Sequence, residues 1–198
     1  WLDMVLELLR HHKETLFVVR AHPDEKRVGK QSLESVSDWA AIHQLSKMGN
    51  VVFVDANETI SSYELIERSK FIMIYNSTIG LEATILGKAV LAAGRSRFTS
   101  YPIVFFPDTC EAYFKMAEEF LIIDQVIVPG QFRDNARRFL YYLLYRSSLP
   151  FDEFLEPSIV PGAVQLKKIN WQMIANSNAM KTLVGGLVDR TPFLICQD

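Results

Sequence analysis

The sequence predicts an α/β fold, a Rossmann-like parallel sheet flanked by helices, with a helical C-terminal tail. Three observations point there. Short apolar runs at 15–19, 51–54, 71–75 and 89–93 alternate with stretches of helical periodicity. These runs are apolar throughout rather than at every second residue, as strands covered on both faces are. The stretch 76–90 then reads as turn, helix, turn and strand, with the small residues Gly80, Ala83 and Gly87 at helical spacing for a close approach to a neighbour.

Taken in order, residues 1–12 form an amphipathic helix, with Leu2, Val5, Leu6, Leu8 and Leu9 on its apolar side, Asp3 early and Arg10 late. The first strand, 15–19, runs into Arg20, Ala21, His22 and Pro23, and the charged stretch from Asp24 to Arg27 reads as solvated loop. A polar loop from Gln31 precedes a helix at 38–48 carrying Trp39, Ile42 and Leu45 on one side. After strand 51–54, Ser61 and Glu64 have capping-box spacing at the start of the next helix. Ser77 or Thr78 is placed to cap the helix after strand 71–75, and Gly87 to end it. Residues 103–106 read as a strand or a wedge of core, followed by helices at 109–120 and 134–146. In the second of these, Phe139, Leu140, Leu143 and Leu144 face inward; its aromatics run nearly all round, which predicts burial on two sides or a contact with a further domain. A proline-rich loop at 149–162 and short helices at 169–180 and 180–187 complete the chain. The domain reading is 1–130 for the Rossmann-like fold and 131–198 for a helical, loop-rich extension packing on it.

Composition narrows the function. The chain has 198 residues, nearly half hydrophobic, with a formal net charge of −2. That balance argues against a nucleic-acid partner. Cys110 and Cys196 fit no zinc or redox spacing and point to a reducing, cytoplasmic setting. No apolar run has the length of a membrane span, and no metal set is expected. Trp1 opens directly into a helical pattern, which points to a segment of a longer chain. There is no G-x-G-x-x-G motif and no P-loop, since Gly87-Lys88 is followed by Ala89.

The candidate site lies outside the carboxyl ends of the strands, where open α/β sheets bind ligands. Pro23 holds His22 out of helical geometry beside Arg20. His22 is therefore either a ligand-facing group or a ring bonded to neighbouring backbone. Ser61, Ser62 and Tyr63 face the same edge, as caps or as contacts to a base or sugar. Ser77 and Thr78, with the N–H groups up to Gly80, make an anion site at a helix N-terminus. Glu82 lies too far beyond Ser77 and Thr78 for a capping box. It is either a favourable first-turn acid or an acceptor for a ribose diol. Arg95 and Arg97 suit phosphate or carboxylate recognition, or are solvated loop.

The Arg20-Ala-His22-Pro23 turn, the Ser61-Ser62-Tyr63-Glu64-Leu65-Ile66 helix start and Asn76-Ser77-Thr78-x-Gly80-x-Glu82-Ala83 with Gly87-Lys88-x-Val90 occur in that order. Together they resemble the C-terminal, nucleotide-sugar-binding half of GT-B glycosyltransferases. More narrowly, they resemble the capsule polysaccharide biosynthesis group, with its Kdo-transferase and His-Pro sialyltransferase relatives. The resemblance covers about the first half of the chain. It implies one half of a GT-B fold and a donor site: His22, the catalytic candidate, and Arg20 at the donor phosphate, Ser77, Thr78 and Gly80 around the same phosphate, Glu82 on the ribose, and Ser61, Ser62 and Tyr63 flanking the nucleotide. Arg97 completes the expected set. It also implies a CMP-sugar donor in preference to a UDP-sugar, no separate cofactor, a saccharide or lipid-linked saccharide acceptor, and an N-terminal GT-B half supplying the acceptor base. The implied location is cytoplasmic, with peripheral contact at the inner face of the membrane where the acceptor is lipid-linked. UDP-sugar 2-epimerases, CDP-polyol phosphotransferases and non-catalytic nucleotide-binding modules are alternatives on the same architecture.

Overall fold

The computed structural model describes residues 1–26, 33–159 and 163–194. Arg27, Gln31 and Cys196, named above, lie outside them. The chain divides into two compact units, Trp1–Ala136 and Arg137–Asp198.

The first unit is built on two pairs of parallel strands. β1 (Phe17–Arg20) pairs with β2 (Val51–Val54), Phe17 opposite Val51. β3 (Phe71–Ile74) pairs with β4 (Ala89–Ala92), Phe71 opposite Ala89. Phe105 adds an isolated parallel bridge to Leu91, so the 103–106 stretch is an edge segment of the second pair. The two pairs are separate sheets, and the single continuous parallel sheet expected from the sequence is not formed. Packing joins what strand hydrogen bonding leaves apart. Helix α1 (Leu2–His11) lies across both pairs: Val5, Leu6 and Leu9 pack towards Val19, Val51 and Phe53, and Leu8 towards Ala89 and Leu91. Helix α5 (Cys110–Ile122) covers the second pair through Tyr113, Ala117, Phe120 and Leu121. Thr109 starts it by accepting the Ala112 N–H at 3.1 Å.

The expected helix at 38–48 breaks in two. α2 (Val36–Ile42) ends, Gln44 takes a left-handed conformation with φ 54°, and a 3-10 turn, Leu45–Lys47, follows. The break turns Leu45 into the core and leaves Ile42 exposed, contrary to the one-sided pattern expected. α3 (Ser62–Arg68) and α4 (Ile79–Ile85) follow β2 and β3. Gly87, at φ +86°, ends the segment after α4. There the Lys88 N–H bonds the Ala83 carbonyl and the Gly87 N–H bonds the Thr84 carbonyl, a Schellman arrangement. Gly87 is exposed and is not part of the close-packed face, whereas Gly80 is buried against Ile74 and Val90.

The α6 helix (Gly130–Tyr141) continues into a π-helical segment, Tyr142–Arg146. Tyr141, Tyr142, Leu144 and Tyr145 are exposed, so Leu144 is not inward and the aromatics are not buried on two sides. The stretch 149–162, expected to be loop, holds β5 (Leu155–Pro157), which pairs antiparallel with β6 (Val164–Leu166) beyond it. Helices α7 (Trp171–Asn176) and α8 (Asn178–Val188) complete the second unit. No helix among the described residues is long and apolar enough to cross a membrane.

Candidate functional site

Two side-chain contacts establish that the strands of both sheets end at one edge. The Arg20 guanidinium, at the end of β1, donates to the Ile60 carbonyl just before α3. The Tyr63 hydroxyl, in the first turn of α3, donates to the Glu82 carboxylate in the first turn of α4. Each of these helices is reached directly from a strand's carboxyl end. The loops after β1, β2 and β3 are therefore neighbours.

His22 is exposed at this edge. Its Nδ1 accepts the Asp24 N–H at 3.1 Å, so the bond to neighbouring backbone weighed from the sequence is present. That bond also assigns the tautomer. With Nδ1 accepting, a neutral ring carries its proton on Nε2, which is left to donate outward.

The caps differ from expectation. Ser61 occupies the cap position of α3 without a side-chain cap bond, so its capping box with Glu64 does not form. Thr78 occupies the cap position of α4, also without one. Ser77 supplies a long 3.5 Å contact from its hydroxyl oxygen to the Ile79 N–H. The Gly80 N–H already donates to the Ser77 carbonyl at 3.1 Å, which removes it from the set available to an anion. What remains around the turn is the half-buried Ser77 hydroxyl and the exposed Thr78.

Glu82 is half-buried and Tyr63 exposed. The hydrogen bond to Glu82, then its negative charge, push the Tyr63 phenol pKa up from its ordinary value. Ser62 opens α3 next to Tyr63 and is half-buried. Arg95 and Arg97 are both exposed, on a loop held by buried Phe98 and by Thr99, whose Oγ1 accepts the Ser96 N–H at 2.9 Å. The contacts thus tie Arg20 to the entry of α3 and Tyr63 to Glu82. None joins His22 or Arg97 to that pair among the described residues.

A second network at this edge was not singled out from the sequence. Asp55, just after β2, pairs with Lys26 at 2.6 Å and accepts the Ser37 hydroxyl at 2.8 Å. The Lys26 bond, then the Ser37 bond, hold its carboxyl below the usual range. The charged stretch before Arg27 is therefore partly tied to the sheet edge rather than simply solvated. Lys26 and Asp55 are distant in sequence, and neither has a local motif that would reveal the pair. Away from this edge, a depression of about 350 Å³ lies at the amino ends of β1 and β2, lined by Leu9, Arg10, Lys13, Lys47, Met48 and Asn50. It is remote from all the residues above.

Against known proteins, the chain is similar to Protein FixF of Sinorhizobium fredii (strain NBRC 101917 / NGR234), 32% identical over 102 residues, or 52% of this chain. It spans about a fifth of that relative's length, 22%. No solved structure matches it. The model of the family described as "Capsule polysaccharide biosynthesis protein" matches residues 1–103, the stretch that holds every site residue named here. With more than half of its length matched, the chain belongs to the capsule polysaccharide biosynthesis protein family.

Proposed function

We propose that residues 1–103 are the donor-nucleotide side of a glycosyltransferase in surface polysaccharide synthesis, one half of a GT-B-type enzyme. The observation that carries this is a pair of contacts, Arg20 to the Ile60 carbonyl and Tyr63 to Glu82, at the edge that also bears His22 and Ser77, inside the family-matched segment. Glycosyl transfer breaks the bond between the anomeric carbon and the donor phosphate oxygen. Negative charge then accumulates on the leaving phosphate, and donors aimed at that charge lower the barrier. The Nε2–H of His22 is one such donor. The Arg20 N–H groups not used on Ile60 are others, with Ser77, Thr78 and Arg97 as further phosphate contacts. Glu82 accepts from the ribose hydroxyls, and Ser61 and Ser62 flank the nucleotide. The acceptor oxygen forms the new bond and loses its proton to a base in a facing N-terminal half. The donor proposed is a CMP-sugar of Kdo or sialic-acid type, on the likeness to the His-Pro transferases. The acceptor is a saccharide or a lipid-linked saccharide, reached in the cytoplasm or at the inner face of the membrane.

Calorimetric titration of the 198-residue chain with CMP, UDP, GDP and CDP tests this. Selective CMP binding, weakened about tenfold or more by His22→Ala and by Glu82→Ala, is the expected result; tenfold is about 1.4 kcal/mol, the scale of one charge-assisted hydrogen bond. Selectivity for UDP moves the assignment to an epimerase or another transferase class. Binding of none of the four overturns the donor-site reading for this chain.

A further inference from the structure

Tyr63 was expected to flank the nucleotide, with its ring or backbone against a base or sugar. The structure shows its hydroxyl engaged within the site. Its hydroxyl donates to Glu82 Oε2 across the gap between α3 and α4. A carboxylate has two acceptor oxygens, and this bond engages one of them. Glu82 Oε1 is left without a hydrogen-bond partner among the described residues. An unrestrained Glu loses considerable rotamer freedom when it binds a ligand, and a side chain already held in place loses less.

We infer that Tyr63 is a positioning residue for ribose recognition, anchoring Glu82 through Oε2 so that Oε1 faces the sugar hydroxyls of a bound nucleotide. The inference rests on the donor-site reading above and adds the residue that makes Glu82 selective for ribose. Two further features support it. A phenol is protonated in the neutral range and so can donate there, and the hydrogen bond to Glu82, then its negative charge, push the Tyr63 pKa further up. The Arg20 bond to Ile60 ties down the chain immediately before α3, which keeps Tyr63 in reach of Glu82. The entry of α3 is thus tied to β1, and Tyr63 ties α3 to α4.

The experiment compares binding of CMP, UDP and GDP with binding of their 2′-deoxy forms, using the full chain and its Tyr63→Phe, Tyr63→Leu and Glu82→Gln variants. Circular dichroism verifies that each variant is folded. Wild type should prefer the ribonucleotide about tenfold, the worth of one hydrogen bond to a charged group. Tyr63→Phe keeps the ring and removes the hydroxyl. It should lower ribonucleotide affinity to the 2′-deoxy level and leave 2′-deoxy affinity unchanged, and Glu82→Gln should do the same. A tie that merely joins two helices would move both affinities together or neither. Unchanged ribose preference in Tyr63→Phe, with the preference lost in Glu82→Gln, overturns the inference and leaves the donor site standing. A loss of both affinities in Tyr63→Leu with Tyr63→Phe at wild-type level also overturns it, in favour of stacking. Wild type binding no nucleotide overturns the donor site and this inference with it.

Discussion

Gly80 shows how one missing side chain sets the approach of α4 to the strands. A β-carbon there would collide with Ile74 Cδ1 and come within 3.2 Å of Val90 Cγ1. Two effects oppose each other in Gly80→Ala. Helix propensity gains about 1 kcal/mol, while overpacking a close-fitted contact costs about 1–3 kcal/mol. The Ile74 methyl is the flexible end of a side chain, so the clash relaxes in part. The balance is a net loss of about 1 kcal/mol, read as a lower urea midpoint with an unchanged slope. This glycine was legible in the sequence as one of three small residues at helical spacing. Its neighbour in that pattern, Gly87, serves the backbone instead, because φ +86° suits a residue without a β-carbon.

At the scale of elements, α1 matters most, because it spans two sheets that share no strand hydrogen bonds. Leu8 is fully buried among residues of β4 and α5. Leu8→Ala removes that contact and leaves a void, which costs about 2–5 kcal/mol. Thermal unfolding should show a lower midpoint, and chemical shifts at Ala89 and Leu91 should move with it. The positions of the strands and of α1 were readable from sequence, because apolar runs and amphipathic periodicity mark them, but the burial expected on both faces holds for β4 and not for the first pair, where Val18 and Val52 are exposed. The β5–β6 hairpin was not readable: its three-residue strands are mostly exposed and include Pro157, so no periodicity marks them. The break between α2 and Leu45 was equally hidden, since it depends on a left-handed Gln44, a residue with no strong preference for that region.

For the molecule as a whole, the first unit's stability at high pH turns on a buried phenol. Burial pushes the Tyr113 pKa to about 12, against an ordinary value of 10.0, while its oxygen accepts the Trp1 Nε1–H at 2.9 Å. A pKa raised on folding means that the folded state holds the proton more tightly. The contribution is complete below pH 10 and is lost as pH rises towards 12. Stability of the chain should therefore fall across that window, with Tyr113→Phe flattening the fall, as measured by denaturant titrations at stepped pH. Tyr63 acts in the same direction, with a smaller effect because it is exposed.

Local sequence determined where the chemistry would stand. An apolar run followed by Arg20, His22 and Pro23, or by Ser77 and Thr78, marks those residues as standing at or just beyond a strand's end, because the run and the turn residues after it are local features of the sequence, although each strand is completed only by pairing with a distant partner. The membership of Glu82 in the first turn of α4 was legible for the same reason. Only the tertiary structure decided which side chains meet. Tyr63 reaches Glu82 across 19 residues and Arg20 reaches Ile60 across 40. Those distances are closed by the packing of α1, α3 and α4 on two separate strand pairs, a balance of non-local contacts to which no single stretch of sequence holds the key.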